Sequence, residues 1–320
     1  MTVISKDIDL AAKILQANEV IAIPTETVYG LAANIYNEKA IKKIYSLKNR
    51  PHSNPLIVHV STISKAEELV ESFPVKAKLL AQKFWPGPLT LILPKSPKLP
   101  HWITAHKQHV AIRIPKHKKT LELLKKLTFP LAAPSANPFM RISPTTAKHC
   151  YNYFNDKIEL ILDGGACEKG IESTIVSFLD TYPTILRLGS ISLEEIKDVV
   201  GETVIQNNSA KEPIAPGMYS KHYSPTTNLI LVEKITASLI NTLKDEKIAV
   251  LTFNKAIKHQ KIIKCLRLTK TSDLKEAAKN LYSFLHQLDN INADIILAEK
   301  VPFSGIGITI NDRLLRASHQ

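Results

Sequence analysis

Short apolar runs alternate with stretches of helical spacing along most of this chain. The runs at 55–60 and 89–93 are almost wholly apolar and predict buried strands. Between such runs, Glu38–Lys48 places apolar side chains three and four residues apart, which predicts a helix. Ser192 followed by Glu195 predicts a capping box at the start of another helix. Strands that alternate with helices predict an α/β protein whose parallel sheet is covered by helices.

The alternation stops once, at 201–227, where Pro, Asn, Ser and Gly are frequent and periodicity is weak. A domain usually has about 100–200 residues, so a chain of 320 residues predicts two domains. We predict a first domain at 1–205, a linker at 206–227 and a second α/β domain at 228–320. Loops of this length are usually functional or disordered.

Composition limits the partners and the compartment. The formal net charge of +13 favours anionic ligands such as nucleotides, phosphates or RNA, although a lysine-rich surface explains it equally well. The three cysteines have no CxxC spacing, which fits a reducing compartment and excludes a thiolate zinc site. The N-terminus lacks a signal-peptide pattern, and no stretch reaches about 18 uncharged apolar residues. We therefore predict a cytoplasmic protein with no membrane partner.

Familiar catalytic and nucleotide-binding motifs are missing. The sequence contains no GxxxxGK[ST] loop, no HExxH and no GxSxG. Gly305-Ile306-Gly307 lacks the third glycine of a dinucleotide fingerprint, and Asp163-Gly164-Gly165 is more typical of a tight turn than of a phosphate site. These absences exclude the common hydrolases and the P-loop enzymes.

Polar residues instead follow several predicted strands, which is where open α/β sheets bind ligands. Residues 24–30 read PTETVYG. Thr25 or Thr27 could cap a helix there, or the hydroxyls could hold a small polar substrate. Lys48, Arg50 and Asn54 form a second cluster. Its two cations could stabilise an exposed helix end, or they could bind a triphosphate.

Arg113 interrupts an apolar strand at 110–114. Because arginine is rarely buried without a partner, we prefer a ligand carboxylate or phosphate over a structural ion pair. Two further clusters combine small hydroxyls, amides and charged groups: Ser135, Asn137 and Ser143 in one, and Glu172, Ser173 and Arg187 in the other. Each cluster alone also fits a turn or an exposed strand edge. Five in one domain favour a single concave site for anions.

These residues carry a family resemblance. The blocks PTETVYGLAA, KNRPHSNPLIVHV, FWPGPLTLIL, VAIRIP, PLAAPSANP, IESTIV and ILRLG resemble those of the YrdC-like family, in its order, over about residues 10–200. APGM at 215–218 and HYSP at 222–225 resemble the linker of the longer, two-domain threonylcarbamoyl-AMP synthases, although YSK at 219–221 replaces the usual Lys-Tyr. The resemblance implies a twisted open sheet with helices and a concave basic cleft, followed by a smaller Rossmann-like α/β domain.

The resemblance also implies a reaction. L-Threonine, bicarbonate or CO₂ and ATP would give L-threonylcarbamoyl-AMP and pyrophosphate, on the route to a modified tRNA adenosine. Mg²⁺ would travel with ATP, and no dedicated metal site is expected. The product would pass to a downstream threonylcarbamoyl transferase complex, and direct contact with tRNA is left open.

Site residues are carried over by motif. Threonine would be held by Thr27, His59, Arg113 and Ser173. The nucleotide would be held by Lys48, Arg50, Asn54, Ser135, Asn137, Ser143, Arg187, His222 and Tyr223. Lys48 and Arg50 are also the expected catalytic residues, because two anions must be brought together and neutralised. The linker would close over the product as a lid.

Two other interpretations fit parts of the sequence. A basic concave surface could bind structured RNA through phosphates, but RNA platforms usually place aromatic residues among the cations, and aromatics are only 6% of this chain. A carbamoyl transferase domain of the hydrogenase-maturation type shares the expected fold. It normally accompanies zinc-finger and acylphosphatase-like modules, which this sequence does not show.

Overall fold

The computed structural model describes residues 1–206, 222–244 and 247–319. Backbone contacts divide the chain into two compact units. The first comprises residues 1–139, 144–168 and the segment that starts at 172, and the second comprises 140–143, 169–171 and the C-terminal part. Most of the predicted linker, 207–221, lies outside the described residues. The lid and the domain boundaries at 205 and 228 therefore stay predictions.

The first unit contains one eleven-stranded sheet and seven helices within its described part. The strands are β1 Val3–Ser5, β2 Ile21–Ile23, β3 Gly30–Asn34, β4 Ile57–His59, β5 Leu89–Pro94, β6 His109–Arg113, β7 Leu131–Ala132, β8 Leu160–Leu162, β9 Thr174–Ser177, β10 Thr184–Arg187 and β11 Val204–Ile205. The helices are α1 Ile8–Gln16, α2 Glu38–Lys48, α3 Ile63–Glu67, α4 Val75–Phe84, α5 Lys118–Lys126, α6 Ala147–Phe154 and α7 Leu193–Val200.

This sheet is mixed, with the order β1-β8-β2-β3-β7-β4-β6-β5-β9-β10-β11. The pairs β2–β3, β3–β7, β7–β4, β6–β5 and β9–β10 are antiparallel, so the expectation of a parallel sheet was wrong here. The loop 24–29 between β2 and β3 is too short for a crossover, which forces a hairpin. The reading of Thr25 or Thr27 as a helix cap was also wrong, because this loop leads into β3.

Helices cover both faces of the sheet. Along β2, Ile21 and Ile23 pack in one buried cluster with Leu15 of α1 and Leu123 of α5. Ala22 points to the other face, where a larger cluster contains side chains of α2, α4 and α6. A strand buried on both faces reads as a continuous apolar run, which is why these short strands were recognisable in the sequence. The predicted basic cleft stays a prediction.

The second unit confirms the predicted α/β domain. Its elements are β12 Asn228–Val232, α8 Ala237–Thr242, β13 Ile248–Thr252, β14 Ile262–Arg267, α9 Leu274–Asp289, β15 Ile295–Glu299 and α10 Ile306–Ser318. The strands lie in the order β12-β15-β13-β14, and all three pairs are parallel. Ile240, Val250 and Leu297 belong to its apolar core. In the described part of the chain, no helix has the length and apolarity needed to cross a bilayer.

The capping box of α7 gives a direct stability prediction. The Ser192 hydroxyl accepts from the Glu195 amide at 3.2 Å, and the Glu195 carboxylate accepts from the Ser192 amide at 2.9 Å. We expect Ser192→Ala to lower the free energy of unfolding by about 1 kcal/mol in urea, because an N-terminal amide loses its acceptor. Ser64→Ala, an exposed position inside α3, is the matched control. Equal effects of the two substitutions would show that the cap contributes nothing.

Candidate active site

Helix α2 ends at two buried cations. Asn49 adopts the left-handed conformation at the helix C-cap, with φ of 51°, and turns the chain so that Arg50 also points inward. Lys48 is 1% exposed and Arg50 is 6% exposed. The expectation that this helix end is exposed was therefore wrong, although Lys48 does lie in the last turn of α2.

Oxygen atoms of neighbouring loops surround these two cations. Lys48 Nζ donates to the main-chain carbonyls of Ser135 and Asn137. Arg50 Nη2 donates to Asn54 Oδ1 at 2.6 Å and to the Pro55 carbonyl at 2.8 Å. Burial, and then the charge of Arg50, lower the pKa of Lys48 well below its usual range. The site thus holds two cations in fixed positions at a cost in desolvation.

Sheet direction explains how these loops meet. Strand β7 runs antiparallel to β4, and the Ala133 amide donates to the Ile57 carbonyl at 3.0 Å. The residues that follow β7 therefore lie beside the residues that precede β4. The structure brings together five of the predicted nucleotide ligands, which we call the Lys48 group: Lys48, Arg50, Asn54, Ser135 and Asn137.

A second set forms around Arg113. His59 and Arg113 are register partners at the carboxyl ends of the parallel strands β4 and β6. Ser173 Oγ lies 2.7 Å from Thr90 Oγ1 and accepts from Arg187 Nη2 at 3.0 Å. The Arg113 group comprises His59, Arg113, Ser173 and Arg187. Arg187, predicted as a nucleotide ligand, thus contacts a predicted threonine ligand.

Residues 87–88 connect the members of this group. Arg113 Nε donates to the Gly87 carbonyl at 3.2 Å. The next carbonyl, of Pro88, accepts from the Thr174 amide at 3.0 Å, directly beside Ser173. Arg113 and Ser173 are therefore held through one short stretch of main chain.

Arg113 also has a structural ion pair. Its Nη2 lies 2.7 Å from Glu26 Oε1, and the two side chains are 5% and 2% exposed. The other carboxylate oxygen, Oε2, accepts from the Lys116 amide at 2.9 Å. The less favoured alternative, a structural ion pair, is therefore present, and binding of a ligand anion by Arg113 stays a prediction.

The loop 24–29 touches both groups. The Tyr29 carbonyl accepts from the Ala136 amide at 2.8 Å, on the side of the Lys48 group. Glu26 reaches Arg113 on the other side. The predicted site residues therefore do not line one edge of a parallel sheet. Those of the first unit form two groups joined by this loop, which itself contains Thr27.

Hydrogen bonds hold the Thr25 and Thr27 hydroxyls in place. Thr25 Oγ1 donates to the Val28 carbonyl at 2.6 Å and accepts from the Thr27 and Val28 amides at 3.1 and 3.2 Å. It also lies 2.8 Å from the Thr27 hydroxyl. A hydroxyl has two lone pairs, so Thr27 can accept from a substrate ammonium or hydroxyl.

The remaining predicted ligands belong to the second unit. His286 Nε2 lies 3.2 Å from the Ser143 carbonyl. Tyr223 stacks on Tyr282 with 5.6 Å between ring centroids, and the Arg313 guanidinium carbon lies 4.9 Å from the Tyr223 centroid. For Ser143, His222 and Tyr223 a role in nucleotide binding stays a prediction.

Sequence reasoning gave no role to several residues that build the site. Glu26 stood in the first cluster, but nothing in the sequence placed its negative charge beside Arg113, which lies far away along the chain. Thr90 gave no signal, because it reads as an ordinary strand residue. Gly189 is required by close packing of the backbone, since a Cβ there would lie 2.4 Å from the Ser173 carbonyl carbon. Contacts of this kind depend on strand pairing rather than on local sequence.

Two family models match this chain. Residues 13–189 match the family model described as "Telomere recombination", which covers Sua5, YciO and YrdC, and residues 191–319 match that described as "Threonylcarbamoyl-AMP synthase, C-terminal domain". Proteins named threonylcarbamoyl-AMP synthase from Pyrococcus abyssi and Bacillus subtilis are 39% and 40% identical to this chain. The alignments cover 97% and 96% of this chain and 94% and 92% of those proteins.

A solved structure of a relative has the same fold as this chain. The Pyrococcus abyssi Sua5 structure, which is complexed with L-threonine, matches with a TM-score of 0.92 and 37% identity over 99% of this chain and 97% of that one. A mixed sheet with buried cations and hydroxyls at its strand ends, followed by a parallel α/β unit, defines an enzyme of the YrdC-like class. The chain belongs to the threonylcarbamoyl-AMP synthase family, in its long two-domain form.

Burial makes His59 a source of acid sensitivity. Desolvation, and then the charge of Arg113, lower the pKa of His59 to about 3 from 6.5. Between these values the unfolded chain binds a proton that the folded chain does not, so stability falls as the pH drops below 6.5. Between pH 7 and pH 4.5, we expect the free energy of unfolding of His59→Asn to fall by about 2 kcal/mol less than that of the wild type, measured by urea unfolding. Identical losses in both proteins would show that His59 does not titrate in this way.

Proposed function

We propose that this enzyme makes L-threonylcarbamoyl-AMP from L-threonine, bicarbonate or CO₂ and ATP, and releases pyrophosphate. The observation that carries the proposal is an excess of buried positive charge. In the described part of the first unit, the buried cations are Lys48, Arg50, Arg113 and Arg187, and the buried carboxylates are only Glu26 and Glu172. Because buried charge is costly without compensation, anionic substrates are the partners that complete this site.

The Arg113 group suits threonine. Arg113 offers a guanidinium to the carboxylate, as arginine forks commonly do. Thr27 offers lone pairs to the ammonium or the hydroxyl. The His59 Nδ1 lies 3.3 Å from the Ile57 carbonyl, so Nδ1 carries the proton and Nε2 can accept from a substrate donor. The bound L-threonine in the Pyrococcus abyssi relative supports this substrate.

The Lys48 group suits the phosphates of ATP. Lys48 supplies a point charge, and Arg50 is held at a fixed angle by Asn54 and Pro55. Mg²⁺ enters with ATP as part of that substrate, bound to phosphate oxygens and water.

The reaction needs positioning more than covalent help from the protein. The threonine amine takes up CO₂ and loses a proton, which gives a carbamate. A carbamate oxygen then attacks the α-phosphorus, the bond to the β-phosphate oxygen breaks, and pyrophosphate leaves. Lys48 and Arg50 stabilise the charge on the phosphates during this step. In this proposal the product passes to a downstream threonylcarbamoyl transferase complex that modifies tRNA in the cytoplasm.

RNA binding is the weaker alternative. A surface that binds RNA backbone needs accessible cations. Lys48, Arg50 and Arg113 are buried and contact acceptors within the protein, so they cannot form such a surface. The same cations suit small anions that enter the fold.

Pyrophosphate release tests the proposal. The full chain is incubated with MgATP, L-threonine and bicarbonate, and each of the three is left out in turn. We expect release only when all three are present, together with a product of the mass of threonylcarbamoyl-AMP. Release that does not depend on threonine would overturn the assignment.

Substrate selectivity gives a sharper prediction. L-Serine lacks the γ-methyl group of threonine, and one methyl in a fitted pocket changes kcat/KM by roughly 10- to 200-fold. We expect serine to be used less well by a factor in this range, measured as pyrophosphate release at varied amino acid concentration. Equal kcat/KM values for serine and threonine would contradict a pocket shaped for threonine.

A further inference from the structure

Glu26 is the residue of loop 24–29 that reaches another part of the site through its side chain. Thr25 and Thr27 on either side of it turn their hydroxyls toward each other at 2.8 Å. Glu26 Oε1 instead meets Arg113 Nη2 at 2.7 Å, and Oε2 accepts from the Lys116 amide at 2.9 Å. One carboxylate therefore binds both a side chain and the main chain at the end of β6.

The ion pair between Glu26 and Arg113 is buried, so it is costly to break. Both partners are almost fully buried, so neither charge can be left without the other except at a large cost. One carboxylate oxygen accepts from the Lys116 amide, and the other lies against the Arg113 guanidinium as its ion-pair partner. A neutral amide would direct its own N–H groups at one of these donors.

The guanidinium of Arg113 is fixed from two directions. Gly87 holds Nε by its carbonyl at 3.2 Å, and Glu26 holds Nη2. The Nε hydrogen bond and the ion pair with Glu26 together hold the guanidinium in place. A substrate carboxylate that approaches Arg113 then meets donors already in place, which lowers the entropy lost on binding.

From these contacts we propose that Glu26 is a positioning residue for the amino acid substrate: it orients Arg113 and ties Thr27 to it. The proposal rests on the proposed function, since it assigns Arg113 and Thr27 to threonine. Thr27 is the next residue in the chain after Glu26. The contact between Glu26 and Arg113 therefore sets the distance between Arg113, which would bind the substrate carboxylate, and Thr27, which would bind its ammonium or hydroxyl. Glu26 itself acts through these two residues.

Substitution of Glu26 distinguishes a role in positioning the amino acid substrate from a general structural role. In Glu26→Gln the amide can satisfy one donor but not both, so Arg113 and the loop lose their common partner. Glu26→Asp keeps the charge but is one methylene shorter, so it restores part of the contact. Glu68→Gln is the matched control, because Glu68 forms an exposed ion pair with Lys65 at 2.8 Å in the same unit.

The experiment is a steady-state measurement of pyrophosphate release by the full chain. KM for L-threonine and KM for ATP are determined separately for the wild type and the three variants, and melting temperatures show that each variant is folded. We expect Glu26→Gln to raise the threonine KM by roughly 10- to 150-fold, the factor for loss of a charge-assisted contact. The ATP KM and kcat should change by less than about threefold, with Glu26→Asp intermediate and Glu68→Gln like the wild type.

Two results would overturn the proposal. Equal increases in both KM values would make Glu26 a general structural residue, and an unchanged or lower threonine KM would make it a bystander or a competitor for Arg113. If Glu26→Gln does not fold, the same criteria apply to Glu26→Asp. A wild-type chain without threonine-dependent release would instead refute the proposed function, so the two failures are distinguishable.

Discussion

Burial of cations against oxygen atoms of the protein is the constraint on which this site depends. Lys48 is held by two main-chain carbonyls and Arg113 by one carbonyl and one carboxylate. Each contact joins segments far apart in sequence, so the cations organise the loops. In the proposed function, the desolvation that this costs is offset by an anionic substrate, because the charges are then neutralised in a low-dielectric site.

The mixed sheet is what places the two groups of predicted ligands in different positions. Since β7 runs against β4, residues after one strand lie beside residues before the other, and the Lys48 group forms there. The parallel strands β4 and β6 carry His59 and Arg113 side by side at their carboxyl ends, whereas the Lys48 group lies beside the start of β4. A short hairpin loop between β2 and β3 contacts both groups. A purely parallel sheet would have placed all of these residues at one edge.

The sequence predicted the elements better than their arrangement. Apolar runs and caps located most strands and the helix α7, because these signals are local. Strand direction, which decides which loops meet, was missed in the first unit. Among site residues, Lys48, Arg50 and Arg113 were recognisable as cations in unusual places. The burial of Lys48 and Arg50 and the role of Glu26 were not, because they depend on contacts between distant segments.

Binding of L-threonine and L-threonine amide, measured by calorimetry on the full chain, tests the central claim most directly. The amide keeps the ammonium, the hydroxyl and the methyl group but has no carboxylate for Arg113. If the buried cations of the first unit recognise substrate anions, the amide should bind at least about 30-fold more weakly, as expected when one partner of a buried charge pair is lost. Equal affinities for the two compounds would contradict the account.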